Sequence, residues 1–316
     1  MEKRGQPVGY CIYCGTAELP LSDEHVVPLS LGGDAVLPKA SCPACANITS
    51  RFELTIARQQ LGPYRVRAGL PTRRPEKRPT TLSLELLDKD GSSRTIDLPP
   101  DQHPATLLVP DLPEPTLLVP LLDSPRRSFR MFIALPDESV FALAHEHDAV
   151  AFKVGTFEIG SFYSLLAKVC HAGAFHYPGD WTLCWEPLLP DLIVGDAEDY
   201  DHLIGGTAVD EFEGDDMGYP MFYRTVAVDD DLYLVAYLKL FAWNHTPTYQ
   251  VVVGKRYEKV VVDVTETPTI DPASLESLAL DPESLGRFNA FLTDQTNPDD
   301  GSHRPNDEPG ITPGSS

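Results

Sequence analysis

The chain has 316 residues, 42% of them hydrophobic and 23% charged, which allows one to three domains with packed cores. Its 47 acidic residues against 25 basic ones give a net charge of −22; taken whole, this argues against a protein whose main business is gripping phosphates, and disfavours an anionic membrane surface as partner. No apolar run is long enough to span a bilayer and the first residues lack the apolar stretch of a signal peptide, so a cytoplasmic protein with no membrane partner is expected.

The charge is unevenly placed. Residues 1–80 hold eleven Lys and Arg against seven Asp and Glu, a net of +4, while the remaining 236 residues hold fourteen against forty. Such asymmetry fits two parts with different partners. The spacing predicts four segments: 1–68 as a small zinc domain, 69–79 as a basic Pro-rich linker, 80–265 as a larger acidic α+β domain, and 266–316 as an extension, disordered after about 293.

Four of the six cysteines form two CxxC pairs, Cys11/Cys14 and Cys42/Cys45. Four thiolates at this spacing in a reducing compartment close a tetrahedron around structural Zn²⁺, which replaces the core that so short a domain cannot build. Tyr10 to Gly15 reads as a zinc knuckle. Residues 25–31 and 35–40 read as two short strands joined at Gly32-Gly33-Asp34. Ser41 or Cys42 can cap a helix with Pro43 in its first turn, running to the Gly62-Pro63 stop. Knuckle, hairpin and helix in this order make a ββα, treble-clef arrangement.

Cys11-x2-Cys14, Ser22-Asp23-Glu24-His25-Val-Val-Pro28, Leu31-Gly32-Gly33 and Ser41-Cys42-x2-Cys45-Ala-Asn47-Ile-Thr-Ser50-x2-Glu53 together resemble the zinc-bearing HNH endonucleases over residues 8–60. The resemblance implies a ββα-metal fold and divalent-metal-dependent hydrolysis of a phosphodiester, most often in DNA. It implies His25 as general base and Glu24 as a ligand of catalytic Mg²⁺ or Mn²⁺. The chemistry asks for those types: an imidazole takes a proton from water near neutral pH, and hard oxygen ligands place a divalent cation on the phosphate. The sequence departs from the family twice. Val36 and Leu37 stand where an asparagine often lies, and Ala46 stands where the helix ligand usually follows the last cysteine. Asn47 is the first replacement ligand and Glu53 the second. Positive charge follows the motif, with nine cations against two acids over residues 39–78, and Lys39, Arg51 and Arg58 are candidate DNA contacts.

From residue 80 the pattern turns to strands. Residues 80–87 and 94–98 flank a turn, and residues 106–110 repeat as 116–120. A helical stripe over 161–174 reads as core, and residues 221–228, 232–242 and 248–253 alternate like antiparallel strands. His145, His147, His171 and His176 read as surface or core histidines, and Cys170 and Cys184 as small buried hydrophobes. The acidic part suits an unknown protein or ligand partner, or masks the basic face until a signal moves it, as a defence or mobile-element effector requires. The competing expectation is a non-catalytic treble-clef module that binds nucleic acid or protein.

Overall fold

A computed structural model describes residues 3–119, 128–133, 137–153, 156–176, 181–207, 212 and 218–257. The expected extension over 266–316 and its disordered tail lie outside these residues.

The N-terminal segment opens with β1 (Lys3–Arg4) and a knuckle, in which the Gly15 N–H reaches the Cys11 carbonyl at 2.8 Å with Gly15 in the left-handed region. A glycine adopts that conformation without steric cost. Strand β2 (Ser22–His25) pairs antiparallel with β3 (Ala35–Ser41), and β1 pairs with β3 in parallel. The first hairpin strand therefore ends at His25, where the sequence had it begin. Pro28 has no N–H to give a ladder, and residues Leu29–Leu31 instead form a 3-10 turn on the Pro28 carbonyl. Gly33 lies so close to the Val27 carbonyl that a Cβ there would collide with it, which explains the glycine at this reversal. The pairing sets His25 opposite Val36 and Glu24 opposite Leu37, with the register broken between Ser22 and Glu24.

Helix α1 (Pro43–Leu54) starts from an extended Cys42 with Pro43 in the first turn, where its missing N–H costs nothing. Cys45, Thr49, Phe52 and Ile56 bury one face, while Asn47 and Arg51 are exposed. The helix widens into a π turn over Thr55–Gln60, where the Leu61 N–H reaches the Ile56 carbonyl. Helix α2 (Gly62–Arg67) follows.

Further along, β4 (Leu82–Asp88), β5 (Ser93–Leu98), β6 (Thr106–Asp111), β7 (Ser128–Ile133), α3 (Asp137–Glu146) and β8 (Ala149–Phe152) precede the long helix α4 (Ile159–His176). Then come β9 (Trp185–Pro187), α5 (Pro190–Val194), α6 (Tyr200–Leu203), β10 (Ile204–Thr207), β11 (Met221–Val228), β12 (Asp231–Lys239) and β13 (Thr248–Arg256). Strands β10, β13, β12 and β11 pair in that order with β9 also on β13; β5, β4 and β8 form another sheet, and β6 pairs with β7. All of these pairings are antiparallel, so the chain is mixed α+β. Of the short repeat, the first copy is strand β6, whereas residues 116–119 are turn. No helix among the described residues is long and apolar enough to cross a membrane.

Helix α4 is buried at every residue from Phe162 to Ala174, and it packs on α1, β3 and β13. Its apolar side chains share one core with Ile12, Leu37 and Phe52 on one side and Tyr249 and Val251 on the other. The described residues up to Tyr257 fall in one compact unit, and residues on both sides of 69–79 enter the same core. That stretch is also held: Arg78 donates to the Val66 and Leu70 carbonyls, and Arg65 donates to those of Ser30, Ala57 and Pro71.

Candidate functional site

The four cysteines of the two pairs meet at one point, their sulfurs all within 4.8 Å of one another. Cys14 and Cys42 stand 3.8 Å apart, the edge of a tetrahedron whose metal–sulfur bonds are about 2.3 Å. Burial works against ionising Cys42, but the Cys45 N–H and the neighbouring thiols outweigh it and bring its pKa down to about 7. Burial and the same neighbours push the Cys14 and Cys45 thiols up, so it is the closeness of the four sulfurs that fits a metal ion such as zinc.

Beyond the cysteines, β2 and α1 form the floor of a cleft of about 790 Å³. Glu24 and His25 reach it from the end of β2, and Glu53 from the last turn of α1. The register breaks between Ser22 and Glu24, and all four residues of β2, Ser22 to His25, line the cavity. Arg58 comes from the π turn and Arg65 from α2; Arg73, Arg74 and Lys77 come from the stretch that follows. Five cations thus surround a histidine and three carboxylates, of which Asp23 is paired with Arg4.

Between those carboxylates stands a residue the sequence did not assign. Lys168, from the middle of α4, is wholly buried and sets its Nζ 2.8 Å from Glu24 Oε1 and 3.0 Å from Glu53 Oε1. The same ammonium donates to the carbonyl of His25 and lies 3.3 Å from that of Val26. These carbonyls are set free where the chain leaves β2. Burial works against the charge of Lys168, yet Glu24 and then Glu53 outweigh it and hold the amine above its ordinary value. A buried cation needs such a shell, because removing it from water unpaired costs several kcal/mol.

The cleft brings together His25, Glu24, Glu53 and Arg58, and leaves out three other candidates. Asn47 is exposed and absent from the lining, because one residue along a helix turns the side chain by about 100°. Glu53, two turns from Ala46, points inward. Lys39 and Arg51 are exposed outside the cleft. The donor set implied for Mg²⁺ or Mn²⁺ does not fit here: Asn47 is elsewhere, and Glu24 and Glu53 already hold an ammonium between them. Of the other cysteines, Cys170 is buried as expected, while Cys184 is exposed.

Two of these features had a signal in the sequence. A lone lysine inside an otherwise apolar helical stripe needs a buried counter-charge, and Arg73, Arg74 and Lys77 belong to the basic run already noted. No protein family, no curated protein and no solved structure matches the chain.

Proposed function

We propose that the cleft is a nucleic-acid phosphodiester hydrolase site of HNH type, borne on a zinc-stabilised ββα segment, with DNA as substrate. The observation that carries this reading is the placement of His25 on the floor of a cleft walled by Arg58, Arg65, Arg73, Arg74 and Lys77. Arg58, Arg73, Arg74 and Lys77 hold the phosphate backbone and offset the charge that grows on the phosphoryl oxygens, while Arg65 braces the wall. His25 takes a proton from a water molecule as its oxygen bonds to phosphorus. The ester P–O bond breaks and the leaving oxygen takes a proton from solvent. Glu24 and Glu53, fixed by Lys168, keep the β2 end and α1 in register around the base.

Supercoiled plasmid incubated with the zinc-loaded protein should be nicked or linearised, and His25→Ala should abolish this while retaining DNA binding. Binding without any cutting would instead favour the second reading, a non-catalytic zinc module that grips nucleic acid. The observation on that side is that both floor carboxylates are already committed to Lys168.

A further inference from the structure

We propose that the ammonium of Lys168 is the resident cation of this site, standing where a divalent metal would tie the hairpin to the helix, so that Glu24 and Glu53 are not metal ligands. This deepens the hydrolase reading and rests on it for the comparison with a metal-dependent site.

The Nζ of Lys168 faces four oxygens: carboxylates of Glu24 and Glu53, and the carbonyls of His25 and Val26. A Lys ammonium has three N–H groups, so this shell leaves no proton of it wanting an acceptor. It also joins three elements, since Glu24 and the two carbonyls come from the end of β2, Glu53 from α1, and the lysine from α4. The resemblance implies a divalent metal making that tie between strand and helix. A divalent cation drawn to the same two carboxylates would meet a positive charge within about 5 Å, at a strongly repulsive energy in a buried setting.

The lysine is not poised to withdraw. Every residue from Phe162 to Ala174 is buried, and the Lys168 side chain is 0% exposed. Its neighbours on the helix are tied into the zinc segment as well, for His171 Nε2 lies 2.7 Å from the Ile12 carbonyl. Moving the ammonium out would mean moving the central helix of the core. The cation is therefore a fixed part of the fold, and Glu24 and Glu53 are held by it and not by Mg²⁺ or Mn²⁺.

The test is titration of the zinc-loaded full-length protein with Mn²⁺, followed by the loss of the free Mn²⁺ electron paramagnetic resonance signal. Wild type and Glu53→Gln are expected to take up Mn²⁺ identically, through surface carboxylates alone. Lys168→Met opens the carboxylate pair and should bind Mn²⁺ about tenfold more tightly, a gain removed by adding Glu53→Gln. A Mn²⁺ site in the wild type that Glu53→Gln abolishes overturns the proposal, whether or not Lys168→Met folds. Failure of the hydrolase reading looks different: DNA is not cut, while the Mn²⁺ titrations keep their expected order.

Discussion

His171 Nε2, in the middle of α4, lies 2.7 Å from the carbonyl oxygen of Ile12, which sits between Cys11 and Cys14, 159 residues earlier. The carbonyl can only accept, so Nε2 carries the proton and donates. The ring stacks on Tyr13 at 5.8 Å and meets Phe175 and Trp181 edge-on. Burial in this aromatic cage pushes its pKa down to about 4, against a smaller opposing effect of the Ile12 hydrogen bond.

That depression has a sign. The unfolded histidine binds its proton below about 6.5, the folded one only below about 4, so the unfolded state binds more protons between these values. Stability from this group is full above pH 6.5 and declines as pH falls toward 4, by about 3 kcal/mol at most. Urea unfolding of wild type and His171→Gln between pH 7 and 4.5 should show a shallower fall in the variant. Parallel curves would mean that His171 does not titrate in this way.

The cysteine cluster predicts one zinc per chain by elemental analysis. Cys42→Ser should lose it and lower stability by several kcal/mol, because the metal adds its binding free energy to the hydrogen bonds and packing that join the knuckle to β3 and α4. Full stability after metal removal would show that the shared core alone holds the knuckle.

The cations of the cleft fall into two kinds. Arg65 spends its guanidinium on the carbonyls of Ser30, Ala57 and Pro71, so Arg65→Ala should destabilise the cleft wall. Arg73, Arg74 and Lys77 are exposed along the same wall. Replacing these three with alanine should weaken DNA binding and reduce the slope of log K against log salt by about two to three, with little change in melting temperature. An unchanged slope would place the DNA elsewhere.

Residues 1–80 alone should not fold, even with zinc. They would lose Lys168 and leave Glu24 without its counter-charge, and strip Leu37, Phe52 and Ile56 of the α4 side of their core. The expected result is a poorly dispersed amide spectrum and no cooperative melt. A well-dispersed, cooperatively melting fragment would contradict the joint core.

What was legible in the sequence was local. The CxxC pairs, the helix from Pro43 to the Gly62-Pro63 stop, and the strands β4, β5 and β11 to β13 announce themselves through spacing, caps and alternation within a few residues. The start of the hairpin was misplaced because Pro28 ends a strand as readily as it continues an apolar run. Asn47 lies off the cleft through helix phase, since burial of Cys45, Thr49 and Phe52 turns it to solvent. The contacts of Lys168 with Glu24 and of His171 with Ile12 span well over a hundred residues, and nothing in local pattern records such pairings. The charge asymmetry is likewise silent about the core that residues of the basic and acidic parts share.

The central claim, that this cleft hydrolyses DNA with His25 as base, is met most directly by a single-turnover rate on end-labelled DNA. Wild type and His25→Ala would be compared at protein concentrations that bind all the DNA. The account predicts that His25→Ala binds as tightly and cuts about a hundredfold or more slowly. Equal cutting rates for the two proteins, or none by the wild type on fully bound DNA, would contradict it.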